Sequence, residues 1–175
     1  MIELRPMIED DLPLVAGWLR EPHVARWWLP EQTAQQQLEE YRRRLTGDDD
    51  GTHLLIVVQR GRGPVGWCQW YRWDDTPEEA RELGARPGEV GIDYALGDPA
   101  ATGRGLGTAM IAALVREIGR HHPGCGVVVE PEAGNRASRR VLERNGFELV
   151  DVRPLAFEPN DRPMAIYRLV GRRVA

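Results

Sequence analysis

Residues Glu89–Arg120, EVGIDYALGDPAATGRGLGTAMIAALVREIGR, decide the fold. In Glu89–Gly97 the even positions Val90, Ile92, Tyr94 and Leu96 are apolar, and the odd ones are Glu89, Gly91, Asp93, Ala95 and Gly97. A strand sends these two sets to opposite faces, so one face belongs to a core and the other carries Asp93 between small residues. From Leu106 the period changes, and Met110, Ile111, Leu114, Val115 and Ile118 fall on one arc of a 3.6-residue helix. The turn between them, Ala101–Thr108, contains Gly103, Gly105 and Gly107. Glycine admits positive φ and close backbone approach, so this helix can start with N–H groups aimed at a phosphate. The same glycines can equally serve the turn alone.

Upstream, Ile2–Pro6 reads as an edge strand, and Asp10 or Asp11 can cap a helix whose Leu12, Val15, Trp18 and Leu19 share a face. Pro22 ends it, and a short helical turn through Trp27 and Trp28 runs to Pro30. Neighbours on a helix point about 100 degrees apart, so one of the two tryptophans is expected to line a surface or a site. Thr33 and Gln36 have capping-box spacing ahead of a helix with the stripe Leu38, Tyr41, Leu45. After the turn Gly47–Thr52 come strands His53–Gln59 and Val65–Trp73, joined by RGRGP. On one face of the second strand lie Val65, Trp67, Gln69, Tyr71 and Trp73, a gradient expected to run from core to pocket.

Asp74–Gly88, DDTPEEARELGARPG, has no clear core pattern. It reads either as a solvated loop with a helical turn or as an acidic lid, through Asp74, Asp75 and Glu79, for a cationic ligand. Downstream, Gly126–Pro131 is a short buried strand, Ala137–Arg144 is a helix stopped by Asn145-Gly146, and two strands follow around the turn Glu158–Pro163. A βαβ crossover within otherwise antiparallel pairing implies an α/β (α+β) fold: a mixed sheet with helices on both faces.

The length of 175 residues suits one domain, 1–175, and 42% hydrophobic with 29% charged residues is ordinary for a globular protein. A net charge of -4 argues against a nucleic-acid partner. Cys68 and Cys125 make neither a disulfide framework nor a zinc spacing, so no metal is expected. Met1–Pro13 lacks the apolar run of a signal peptide, and no segment approaches about 18 consecutive apolar residues, so the expectation is cytoplasmic, with no membrane partner.

Two blocks in this order, Thr102-Gly103-Arg104-Gly105-Leu106-Gly107 and Asn135 with its helix and Asn145-Gly146-Phe147, give the whole chain a resemblance to the GCN5-related N-acetyltransferase (GNAT) superfamily. Within it, Trp27-Trp28, Gly66–Tyr71, Gly91-Ile92-Asp93, Gly103–Thr108 and Glu130-Pro131 look like aminoglycoside 6'-N-acetyltransferases. The resemblance implies a single GNAT-like domain with a βαβ acetyl-CoA-binding core, and acetyl-CoA as co-substrate. The coenzyme would be held by Tyr94, Ala95, Leu96, Gly103, Arg104, Gly105, Leu106, Gly107, Thr108, Asn135 and Ser138. It implies acetylation of a small cationic amine, an aminoglycoside, by a resistance-type enzyme acting as monomer or homodimer. Asp93 would handle the acceptor amine, with Trp27, Trp28, Gln69, Tyr71, Asp74, Asp75, Glu79 and Glu130 around the substrate.

Each of these residues also has a structural reading: the aromatics as core, Asp93 as a cap for local backbone groups, Glu130 as a strand-end charge. Other acceptors open at this stage are a siderophore precursor, a polyamine or a protein N-terminus, and a non-catalytic coenzyme- or aminosugar-binding protein is a further alternative. The sequence departs from the superfamily at Thr102, where Arg or Gln is usual, and at Leu142, where relatives carry a tyrosine that protonates the leaving thiolate. Tyr94, Ser138 or a water stands in for it, or the thiolate leaves unprotonated.

Overall fold

The computed structural model describes residues 1–28, 33–47, 51–158 and 161–171. Pro30, positions 48–50 of the expected turn after Gly47, and positions 159–160 of the turn after Glu158 lie outside them. The described strands are β1 (Ile2–Pro6), β2 (His53–Gln59), β3 (Gly63–Arg72), β4 (Val90–Leu96), β5 (Val127–Val129), β6 (Glu148–Arg153) and β7 (Met164–Leu169). The helices are α1 (Leu12–Leu19), α2 (Pro22–Trp28), α3 (Ala34–Leu45), α4 (Pro77–Leu83), α5 (Leu106–His121) and α6 (Arg136–Arg144). The strands form one sheet in the order β1-β2-β3-β4-β5-β7-β6. β4 and β5 run parallel, with α5 as the connection between them, whereas β1–β2, β5–β7 and β6–β7 are antiparallel. This is the mixed sheet that the change of period at Leu106 implies.

The chain divides into two compact units, Met1–Gln69 with Asp93–Ala113, and Trp70–Ile92 with Leu114–Ala175. In the first, Met7, Leu12, Val15, Trp18, Leu19, Val24, Tyr41, Leu54, Ile56 and Trp67 form the core. Trp67 is its hub: Trp18 stacks on it at 5.9 Å, and Trp28 meets it edge-on at 5.1 Å. Each fully buried aliphatic here, such as Leu19 or Ile56, is worth about 1.5–3 kcal/mol. Thr33 starts α3 with the expected capping box, accepting from Gln36 N while Gln36 Oε1 accepts from Thr33 N. Asp11 behaves differently from the expected helix cap. Its carboxylate accepts from Ile8 N at 3.0 Å and pairs with both Nη atoms of Arg5, so it closes a three-residue turn ahead of α1.

In the second unit the core is Trp73, Leu83, Val128, Leu155, Met164 and Ile166, with Tyr71, Ala80, Ala85 and Phe157 against it. Here one expectation changes and another gains detail. Trp73 does not open into a pocket: it is 2% exposed and its Nε1 donates to Val128 O at 3.2 Å. The helical turn expected in the segment after it is α4, which follows a short turn, buries Leu83 and ends at Gly84 in the left-handed conformation. Two turns of helix with only Ala80 and Leu83 inward are too few for a period to be visible. At the far end, Gly146 (φ 82°) terminates α6 as expected, with Phe147 N donating to Leu142 O.

Candidate active site

Within the first unit, Asp93 stands on β4 between Ile92 and Tyr94, half-buried, and its Oδ2 accepts from Gln69 Nε2 at 2.6 Å. Gln69 is buried on the neighbouring β3, and its Oε1 accepts from Arg44 Nη1 at 3.1 Å. Arg44 in turn pairs with Glu40 one turn earlier on α3. The result is a polar file, Glu40–Arg44–Gln69–Asp93, running from a helix through one strand to the next. Tyr41 and Trp67 flank it: the Tyr41 hydroxyl accepts from Trp67 Nε1 at 3.1 Å, and both side chains are fully buried.

The tandem tryptophans divide as the helix geometry requires. Trp28 turns into the core against Trp67, while Trp27 carries the Arg26 guanidinium 4.9 Å from its ring centroid. Burial lifts the Asp93 carboxyl above the ordinary aspartate range, opposed by the Gln69 amide and the Arg44 charge and reinforced by Glu40. A carboxylate raised in this way is a better base than an exposed one, while its anionic form still attracts an ammonium. Burial likewise pushes the Tyr41 phenol well above its usual value, so it stays protonated.

In the same unit, β4 runs out through Tyr94, Ala95 and Leu96 into the glycine turn. Leu96 O is 2.9 Å from His23 Nε2 on α2, and Gly97 N and Asp98 N both reach Val65 O. Asp98 caps the next short turn through Ala100 N and holds Arg62 at 2.7 Å; these contacts keep its carboxyl below the usual range. Gly103 and Gly105 have φ of 71° and 78°, which explains their identity, and Thr102, Gly103, Arg104 and Gly105 are exposed. The first helical bond of α5 runs from Ala109 N to Gly105 O. Leu106, Gly107 and Thr108 thus form the first turn, ahead of that bond, and the N–H groups of a first turn point out along the helix axis. Such a turn is suited to an anion, as the glycines of GRGLGT lead one to expect.

The remaining candidates belong to the second unit. The Tyr71 ring lies on Gly91, where a Cβ would come within 2.4 Å of it, so the ring covers the β4 backbone there and can do so only because residue 91 is glycine. Asp74 closes its own segment, pairing with Arg72 at 2.6 Å and accepting from Gly88 N, and these bonds hold its carboxyl low. Asp75 is exposed on the turn, and Glu79 is half-buried on α4. Glu130 follows β5, half-buried. Asn135 caps α6, its Oδ1 accepting from Ser138 N at 3.1 Å. Leu142 is fully buried in the core. One residue along, Glu143 accepts from the Tyr167 hydroxyl at 2.6 Å, and Arg139 Nε donates to that same oxygen at 3.0 Å.

Among the first unit's sequence candidates, the structure joins Gln69 with Asp93, sets Trp28 against Trp67, and continues β4 into the glycine turn. Sequence reasoning missed Glu40, Arg44, Tyr41 as a hydroxyl, and His23. A signal for two of them exists: Gln37, Tyr41 and Arg44 stand at i, i+4 and i+7, so the inner line of α3 carries polar atoms where a stripe of leucines would suffice.

Residues 7–154 match the acetyltransferase (GNAT) domain family. The chain is 28% identical over 150 residues to the aminoglycoside N(6')-acetyltransferase type 1 of Klebsiella pneumoniae, covering 84% of this chain and 74% of that one. It is 24% identical over 160 residues to the lysine N-acyltransferase MbtK of Mycobacterium tuberculosis, covering 91% and 72%. The crystal structure of aminoglycoside acetyltransferase AAC(6')-Ib with coenzyme A and kanamycin superposes with a TM-score of 0.81 at 26% identity, covering 97% of this chain and 95% of that one. With a mixed sheet, a glycine turn opening α5 and a family match across most of its length, the chain belongs to the GNAT acetyltransferases.

Proposed function

We propose that residues 1–175 act as one domain that transfers the acetyl group of acetyl-CoA to a primary amine of a cationic aminosugar, with the 6'-amine of an aminoglycoside as acceptor. The observation that carries this reading is Asp93: a half-buried carboxylate on β4, raised by burial and held through one oxygen by Gln69. An alkylammonium is attracted by that carboxylate and gives up a proton to it, and the neutral amine then attacks the thioester carbon. The C–S bond breaks as the amide forms, and the coenzyme leaves as a thiolate that takes up a proton.

Little covalent help is needed, because alignment of two bound reactants alone supplies about 7–11 kcal/mol. In this reading Gly103–Thr108 hold the pyrophosphate, Tyr94–Leu96 hold the pantetheine arm, and Asn135 and Ser138 complete the donor side. Trp27, Trp28, Gln69, Tyr71, Asp75, Glu79 and Glu130 serve the acceptor, and Asp74, tied to Arg72 and Gly88, holds the segment that carries Asp75 and Glu79. With Leu142 buried, the thiolate is protonated by Tyr94 or by water.

The similarity to aminoglycoside enzymes supports this acceptor. The similarity to a lysine N-acyltransferase favours a second reading, in which the acceptor is the side-chain amine of a lysine-like molecule. Thiol release from acetyl-CoA, measured with kanamycin and with lysine derivatives side by side, decides between them. Release with kanamycin alone supports the first reading; release only with the lysine series overturns it.

A further inference from the structure

On its own strand Asp93 has no neighbour able to orient it, since Gly91 and Ala95 flank it on the same face of β4. Its orientation comes from Gln69, and an amide can present either end. Which end faces Asp93 is decided one residue further out. A guanidinium has donors only, so the Gln69 atom that meets Arg44 Nη1 must be the carbonyl oxygen, and the NH₂ is then turned toward Asp93. Glu40 holds Arg44 in that place from the preceding turn of α3.

We propose that Arg44 is a positioning residue for Asp93, acting through Gln69: it locks the amide in the orientation that donates to the carboxylate and so keeps Asp93 ready to take a proton from the acceptor. The inference rests on the reading of Asp93 as the group that handles the acceptor amine. Without Arg44, Gln69 is free to turn over and accept a hydrogen bond from a protonated Asp93, so the neutral form gains a partner just as the charged form loses a nearby cation. Both changes act in one direction. Among the described residues, the titratable or charged groups facing Asp93 are Arg44, Glu40 and the Tyr41 hydroxyl, all on α3, while β3 contributes the neutral Gln69. Burial, the Gln69 bond and the opposed charges of Arg44 and Glu40 set the Asp93 carboxyl together.

The test is a direct titration of the carboxyl in protein carrying ¹³Cγ-labelled aspartate, with Asp93→Asn identifying the resonance. Arg44→Met keeps the bulk of the side chain and removes its charge and donors. Its Asp93 midpoint is expected about one pH unit above the unsubstituted protein. Arg44→Lys, still a cation with donors only, recovers most of that shift. With acetyl-CoA and kanamycin, the acid limb of kcat/KM in Arg44→Met moves up in parallel while KM for acetyl-CoA holds. An unmoved Asp93 midpoint in Arg44→Met overturns the proposal, as does a lysine variant that shifts as far as the methionine one. Should Arg44→Met fail to fold, Gln69→Met removes the amide instead, and an unmoved midpoint there has the same meaning. If Asp93→Asn releases thiol as fast as the unsubstituted protein, the catalytic reading of Asp93 fails, whatever the Arg44 variants do to its titration.

Discussion

Asp93 and Asp74 are both aspartates in the middle of the chain, one on a strand and one just after one, and their surroundings treat them in opposite ways. Asp74 is exposed, bonded to Arg72 and to Gly88 N, and held below the usual carboxylate range. Asp93 is half-buried, bonded to a neutral amide, and lifted above that range by burial. A carboxylate saturated by a guanidinium and a backbone N–H closes a loop; one kept in a poorly solvated place and bonded to a neutral amide is the more ready of the two to take a proton.

The sharpest way to break this contrast is to remove each charge. Asp93→Asn should lower kcat by about 10²–10⁴-fold, the usual range for a lost general base, while acetyl-CoA still binds in a calorimetric titration. Equal loss of turnover and of coenzyme binding would make Asp93 structural. The same variant should melt higher at neutral pH. Because the folded carboxyl is raised, the native state holds more protons than the unfolded chain between the unfolded and folded midpoints, and stability falls as pH rises through that window. Asparagine removes that penalty, so the gain in melting temperature should shrink as the pH is lowered below the unfolded carboxylate midpoint.

How much of this was legible beforehand follows from periodicity. The Asp93 strand, the glycine turn and α5 form a run long enough for alternation and a 3.6-residue repeat to be unmistakable, and the cap at Asn145-Gly146 is local chemistry. Arg44 was not legible, because its place in the site depends on α3 lying against β3, a contact between residues 25 apart in sequence. The burial of Trp73 is hidden in the sequence for the same reason: whether the end of a strand is wet depends on what folds over it, and a helical turn with so few apolar positions does not reveal which face it covers.

The donor side offers the next effect in size. Gly105 has φ of 78°, and a Cβ placed there would meet nothing within 4 Å, so a substitution suffers from conformation rather than from crowding. A β-branched residue in the left-handed region costs about 1–2 kcal/mol, so Gly105→Val should raise KM for acetyl-CoA by roughly tenfold and leave KM for the acceptor unchanged. Steady-state kinetics with each substrate varied in turn separates the two; an acceptor-side change instead would place the turn outside the coenzyme site.

Leu142→Tyr probes the missing proton donor. The site is fully buried, so the larger, polar side chain should cost about 1–3 kcal/mol in a denaturant melt and bring no rise in kcat. A rise in kcat would mean that the tyrosine reaches the thiolate and that position 142 can serve as in relatives.

The smallest effects belong to the acidic segment, where the contrast between the two aspartates can be drawn within a few residues. Asp75 is exposed and Glu79 half-buried, while Asp74 is tied to Arg72 and Gly88, and Glu82 to Arg153 and Ala156 N. If the segment attracts a polycation, the carboxylates outside these ties are the ones with charge to offer. The double variant Asp75→Asn, Glu79→Gln should then raise KM for kanamycin by about threefold at low salt, with the difference fading as salt screens it and with no change in melting temperature. Asp74→Asn should do the reverse, lowering the melting temperature by releasing Gly88 and leaving KM nearly as it was. Were the double variant silent at low salt, the carboxylates of this segment would be a solvated face, and the attraction for the acceptor would rest on Asp93 and Glu130.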